Sequence, residues 1–296
     1  MDLLLSGQLL IAALVLAAIY GLIAMGLNLV YGTMRLLNVA HGEIVMLGGY
    51  TAYWGFTLFG IGPLGSLPVA MLLTGMLGAL VYLGLFRRML RSPRLAARVE
   101  ANSLLIFFGV SVILQNLAAL AFTATGRGYQ YLDGLVTLGS VTVTANRLAI
   151  LAIAGGACIA CALFFRLTRN GLAIRALIQQ RDAAALAGID PDRFNLQVFA
   201  LGFALAGLAG VLLSMSEQIS PFMGFPFTIS AFVIIILGGL GNLTGGLLGA
   251  VVLAVVEVYG AALTSPSYRS ILVYGVFIAI LLFRPAGLLG RAAAAR

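Results

Sequence analysis

Apolar stretches at about residues 8–30, 42–60, 66–86, 103–123, 147–166, 194–216, 227–240, 247–263 and 270–284 alternate along the chain with short polar segments. Most approach the ~20 residues that carry an α-helix across the ~30 Å hydrocarbon core of a bilayer. The pattern predicts an all-α polytopic membrane protein with eight or nine transmembrane helices, and residues 1–296 read as a single membrane domain. The ambiguity lies at 227–263, where ILGGLGNLTGGLLGA interrupts a run too long for one helix and too short for two full ones. Broken or half-length helices are expected there, because non-helical backbone at membrane depth survives only under cover of protein or a watery cavity.

Composition removes the soluble alternative. Hydrophobic residues make up 62% of the chain and charged residues 9%, whereas a soluble domain carries roughly a quarter charged residues. The opening MDLLLSGQLL lacks the basic region of a secretory signal, and its apolar run continues far beyond one, so it reads as the first span. A net charge of +8 would suggest nucleic acid in a soluble protein, but here the charges sit between the apolar stretches. All 17 basic residues are Arg. Without Lys there is no P-loop lysine and no Schiff-base lysine, so the chain cannot itself be a Walker-type ATPase.

The placement of arginine sets an orientation. RRMLRSPRLAAR at 87–98 and the loop at 166–193 carry five Arg each, Arg35 follows the first span, and Arg284, Arg291 and Arg296 form the tail. With nine spans all of these fall on one side, and only Arg127, Arg147 and Arg269 on the other. The positive-inside rule makes the first side cytoplasmic, with the N-terminus outside and the C-terminus inside.

Within the second loop, GLAIRALIQQRDAAALAGI at 171–189 holds strong helix formers and no proline. One helix is expected, with Arg175, Gln179 and Asp182 on one face and Ile174, Leu177 and Ile178 on another. Asp190, Pro191 and Asp192 then supply an N-cap, a proline at N1 and a dipole-favoured acid for the next span. The residues alone leave two readings open: a solvated amphipathic connector, or a docking helix for a cytoplasmic partner.

Three other segments carry polar chemistry. NVAHGEIVMLGGY at 38–50 holds the only His, His41, beside Glu43 and after Asn38. One His and one Glu make no metal site, and their place at a span end favours solvation at the headgroup level over a polar pathway. Gly241, Gly245 and Gly249 give two successive G-x-x-x-G spacings that permit close helix approach, and Asn242 and Thr244 stand beside the helix break. Glu217 is expected in a solvated outer loop, and Glu257 buried without a relay partner. Cys158 and Cys161 form a C-x-x-C inside an apolar helix, where packing is the expected role. No paired carboxylates or nucleophile–base pair supports a membrane-embedded enzyme. A self-sufficient secondary carrier or channel for small polar solutes is the competing transport reading.

Four stretches together resemble the LivH-type permeases of branched-chain amino acid ABC importers, and the resemblance covers nearly the whole chain. They are NVAHGEIVMLGGY at 38–50, GLAIRALIQQRDAAALAGID at 171–190, ILGGLGNLTGGLLGA at 236–250 and LLFRPAGLLG at 281–290. Asn242 followed by Leu243 and Thr244 departs from the short Ser- or Pro-containing turn of the family pattern. The resemblance implies a permease in a bacterial or archaeal plasma membrane, embedded in lipid and without nucleic acid. Its partners would be a LivM-like second permease, two ABC ATPase subunits and an extracytoplasmic solute-binding protein. It implies no cofactor in this chain; ATP and Mg would sit on the ATPases. It makes 171–189 a coupling helix, with Gly171, Arg175, Ala176, Asp182, Ala185, Gly188 and Ile189 matching the pattern. It places Asn38, His41, Gly42, Glu43, Gly238, Gly239, Gly241 and Asn242 at the translocation path or a helix break.

Overall fold

A computed structural model describes residues 6–139, 141–284 and 287–289. Arg291, Arg296 and, from the C-terminal motif, Pro285, Ala286 and Gly290 lie outside the described residues. The described residues are mostly helix. Helix α1 (Gly7–Met34) ends at Arg35, whose φ of 55° stops it, and α2 (His41–Phe59) closes on Gly60 at φ 65°. Helix α3 (Pro63–Val81) starts with proline at N1 and continues through a π-helical turn (Tyr82–Phe86) into α4 (Arg87–Arg91). A short α5 (Pro93–Ala96) leads to α6 (Val99–Phe122). Then come α7 (Ala145–Leu167), α8 (Arg169–Gln179), α9 (Arg181–Leu186) and α10 (Pro191–Ser214). Helices α11 (Gly224–Gly238), α12 (Leu243–Leu263) and α13 (Arg269–Phe283) complete the fold.

Among the described residues, seven helical stretches are long and apolar enough to cross a membrane: α1, Pro63–Arg91, α6, α7, α10, α12 and Pro266–Phe283. The expected eight or nine depend on the other two. Helix α2 has 19 residues but opens on His41 and Glu43. Helix α11 has 15 residues, about 22 Å at 1.5 Å per residue, short of the ~30 Å core. The break predicted within 227–263 is present at Gly239–Asn242, but only its first half is short. Helix α12 runs a full 21 residues, because the glycines that suggested two half-helices lie inside its first turns and pack instead of breaking it.

A β-hairpin departs from the all-α expectation. Strands β1 (Leu135–Leu138) and β2 (Val141–Thr144) pair antiparallel with Leu135 opposite Thr144, and Gly139 at φ 64° allows the turn. Val141 touches Gly7, so the hairpin marks the end of the bundle where α1 begins.

Two three-helix units run in opposite directions. In the first, long α1 is followed by α2, which begins inside the bundle: His41 meets the Ile23 carbonyl, about 16 Å short of the end of α1 by helical rise. In the second, long α10 is followed by α11, which begins beside Gly42. The units interlock through glycine. A Cβ on Gly26 would lie 2.6 Å from the Gly202 carbonyl, and one on Gly202 would lie 2.8 Å from that of Gly26. Gly42 and Gly224 meet in the same reciprocal way where α2 and α11 start. Helix α3 packs along α10 at Thr74–Gly207 and Gly78–Phe203, as α12 packs along α1 at Gly246–Asn28 and Leu247–Gly21. With no hydrophobic force between helices in lipid, close packing of small residues holds such an assembly together. Cys158 belongs to this packing, against Gly21, and both cysteines are free thiols buried in the bundle.

Candidate translocation and coupling sites

Asn38, His41 and Glu43 are completely buried. This overturns the headgroup-level placement, and the reason is the early start of α2, which carries its polar first turn into the bundle. His41 Nε2 donates to the Ile23 carbonyl (2.9 Å), the Gly42 amide donates to Thr228 Oγ1 (2.8 Å), and Ser111 Oγ donates to Glu43 Oε1 (3.2 Å). Asn38 Oδ1 accepts the Ala40 amide (3.1 Å), shaping the turn between α1 and α2. None of these four residues lines a described cavity.

The break at 239–242 is built differently. Gly239 and Gly241 take φ of 102° and 78°, conformations that favour glycine. Gly238 packs directly on Gly245 and Gly246, closing the α11–α12 hairpin. Asn242 caps α12, its Oδ1 accepting the Gly245 amide (3.0 Å) while its Nδ2 donates to the Leu289 carbonyl (3.0 Å). Asn28, an amide within the apolar α1 that the family motifs do not include, holds the break from the other side. Its Oδ1 accepts the Gly241 amide (2.8 Å) and its Nδ2 donates to the Asn242 carbonyl (2.8 Å). Asn28→Leu would leave the part-buried Gly241 amide unpaired and the Asn242 carbonyl with the Gly246 amide alone, at ~1–3 kcal/mol for a buried group stripped of its partner. A melting temperature in detergent lowered by several degrees is the expected result.

Two open cavities lie on either side of this packed region, between α1, α11 and α12. The inner one, about 730 Å3, is lined by Arg35, Arg175, Gln179, Gly241 and Asn242 at the arginine-rich end. The outer one, about 620 Å3, opens at the hairpin end and includes Tyr20, Arg147, Ser230, Glu257 and Arg269. Glu217 is exposed at its mouth, as expected for a solvated loop. Glu257 is buried but not alone. Arg269, twelve positions on, donates from Nε to Oε1, and Tyr20 donates to Oε2 (2.7 Å). The expectation of an acid without a partner is thereby corrected: the turn between α12 and α13 returns Arg269 to its side.

The segment 171–189, expected as one helix, is divided between two, α8 and α9. Thr168 caps α8 by accepting the Gly171 amide (3.0 Å), and Gly171 lets α8 fold back on Phe164 and Phe165 of α7. At Gln180 (φ −157°, ψ 102°) the chain is extended, and α9 starts anew with Gln180 accepting from the Ala184 amide. Asp182 therefore leaves the face of Arg175 and Gln179. Ile174, Leu177 and Ala184 are buried against the bundle, a better use of apolar surface than one straight helix would allow. Arg175 points inward to the inner cavity, and Ile178 touches Gly32 and Gly241. Ala176 and Ile189 are half-buried, whereas Asp182, Ala185 and Gly188 are exposed. Gly188 ends α9 at φ 85°, and the Ile189 amide reaches back to the Ala184 carbonyl (3.1 Å). Leu186, which no motif singled out, is 91% exposed. Asp190 caps α10 through the Asp192 amide, as expected, and Asp192 also binds Arg91 (2.5 Å), tying α10 to α4.

Comparison with known proteins fits this architecture. A family model described as branched-chain amino acid transport system, permease component, matches residues 9–281. The permease protein BraD of a high-affinity branched-chain amino acid transport system of Pseudomonas aeruginosa is 31% identical, with 96% of this chain and 95% of the relative covered. LivH of Escherichia coli K12, a permease protein of the same kind of system, is 31% identical over 93% of this chain and 92% of its own. LivM of Escherichia coli K12, also a permease protein, is 29% identical over 93% of this chain and 68% of its own. No solved structure matches the chain. The multi-pass bundle and these relatives place the chain in a membrane as a transport component, and it belongs to the family of permease components of branched-chain amino acid transport systems.

Proposed function

We propose that this chain is the solute-translocating subunit of an ATP-driven importer of branched-chain or related amino acids, and that ATP is hydrolysed on separate subunits coupled to it through α8 and α9. The observation that carries the reading is the position of this helix pair. Helix α9 presents Leu186 outward at the arginine-rich end, while α8 places Ile178 and Arg175 against the break at Gly241 and Asn242. A push on α9 is thus passed to an irregular backbone segment that lines the inner cavity. Apolar side chains exposed beyond the span ends are expensive in water and gain from a partner. Leu167 and Leu172, 77% and 60% exposed, extend the same surface.

The arginine-rich end faces the cytoplasm, with the N-terminus outside and the C-terminus inside, and the membrane is the plasma membrane of a bacterium or archaeon. The similarity to LivM as well as LivH supports a second permease of the same family as the partner across the path. Two ATPases holding ATP and Mg, and an extracytoplasmic solute-binding protein, complete the system. A photoreactive amino acid at 186 is expected to cross-link to an ATPase subunit co-expressed with the permeases, and cross-links to lipid alone would refute the coupling assignment. Orientation has its own test: in a chain with Cys158→Ala and Cys161→Ala, Phe59→Cys and Arg88→Cys are expected to react with impermeant thiol reagents from opposite sides. Reaction from the same side would remove the span between them.

A further inference from the structure

We infer that the outer cavity is a recognition site for the zwitterionic head group of an α-amino acid, with the exposed Glu217 taking the ammonium, Arg269, held in place by Glu257, and Arg147 the carboxylate, and Ile19, Phe227 and Val258 the aliphatic side chain. The inference rests on the importer reading and adds to it a place and a set of residues. Four charged side chains line the cavity, two guanidiniums (Arg147, Arg269) and two carboxylates (Glu217, Glu257). Their sum is zero, which suits a solute carrying one charge of each sign and disfavours a net cation or anion. The charged groups share the cavity with apolar side chains, so a solute with a polar head and an aliphatic tail satisfies both.

The ion pair at its centre is half committed. Glu257 is 2% exposed, with both oxygens engaged by Arg269 and Tyr20, and Tyr20 Oη lies 3.5 Å from Ser230 Oγ. The Arg269 side chain is 47% exposed toward the cavity. Of the five N–H donors of a guanidinium, only its Nε donates to protein among the described residues, which leaves the terminal nitrogens to a carboxylate in the bidentate manner favoured by Arg. A buried ion pair is a poor device for stability alone, and ionisable groups within spans mark solute pathways. At about 620 Å3 the cavity falls in the ~300–1,000 Å3 range of small-molecule sites. It ends on Met223 and Phe227 at the start of α11, beside the packed Gly42–Gly224 contact.

The test uses Ala261→Cys, a small residue at the cavity wall, in the Cys158→Ala, Cys161→Ala chain assembled with its co-encoded partners in nanodiscs. Leucine at ten times its dissociation constant is expected to slow labelling by a methanethiosulfonate reagent about tenfold, as occupancy dictates. Leucinamide, which lacks the carboxylate, and 4-methylpentanoate, which lacks the ammonium, are expected to leave the rate unchanged. Arg269→Gln is expected to abolish the protection, read as the ratio of labelling rates with and without leucine in that same variant. Equal labelling with and without leucine, in an assembly that imports leucine in vesicles, overturns the site and leaves the importer reading standing. Protection that survives Arg269→Gln, or equal protection by leucinamide, overturns the head-group assignment. An assembly that imports no amino acid overturns the importer reading and the site with it.

Discussion

Leu186→Asp is expected to reduce ATP-driven uptake to background while the subunit still inserts and assembles its bundle. Leu186 makes no part of the buried core and is 91% exposed on α9, so its replacement leaves the fold intact. At a docking surface, an apolar anchor buried by the partner contributes ~2 kcal/mol or more, about a thirtyfold change in binding constant, and a buried Asp adds a desolvation cost. Uptake in vesicles containing the full set of partners measures the loss, and a pull-down of the ATPases locates it. Leu120→Ala, equally exposed on the membrane span α6 at 84%, is the control and is expected to transport normally. Asp182→Arg, on the same helix as Leu186, is expected to weaken coupling less, because a rim charge remains solvated. Arg175→Glu acts elsewhere: it changes the inner cavity and should lower turnover without releasing the ATPases.

Gly202→Leu carries the second large effect, this time on the fold. The backbones of α1 and α10 touch at Gly26 and Gly202, with carbonyl oxygens where any Cβ would stand. Backbone cannot step aside as a flexible side chain can, so the helices must separate along a contact that holds the two inverted units together. Overpacking of this kind costs ~1–3 kcal/mol and occasionally more, and here it also opens the neighbouring His41–Ile23 contact. Fluorescence-detected size exclusion in mild detergent is expected to show loss of the folded peak. Gly155→Ala, on α7, where an added Cβ meets nothing within 4 Å, is expected to leave the peak unchanged. A folded Gly202→Leu protein with normal uptake would show that the reciprocal contact is not what holds the units together.

The spans were legible because apolar runs of about twenty residues have few other uses, and their observed bounds follow the hydropathy closely. Asp190, Pro191 and Asp192 announced the start of α10 in the same direct way. What the sequence concealed depends on distance. The polar turn at 38–43 sits at the edge of an apolar run, and only the return of the chain into the bundle shows that it is buried. Glu257 and Arg269 are separated by a helical hairpin, beyond the reach of i,i+4 arithmetic. The bend at Gln180 has no Gly or Pro to mark it, and it arises because Ile174 and Ala184 both find burial only if the chain turns. Asn28 belongs to none of the motifs, yet it clamps a break more than two hundred residues away. The hairpin left a local signal: LVTL and VTVT alternate β-branched residues around a Gly-Ser pair, the kind of pattern that marks paired strands.

The account depends most on the division of labour between this chain and separate ATPases. The direct measurement is leucine uptake into proteoliposomes holding this chain, the second permease, the two ATPases and the binding protein, with and without ATP, and with ion gradients imposed or collapsed. The predicted result is uptake that requires ATP and every subunit and is indifferent to ion gradients. Uptake by this chain alone, driven by an ion gradient without ATP, would contradict it.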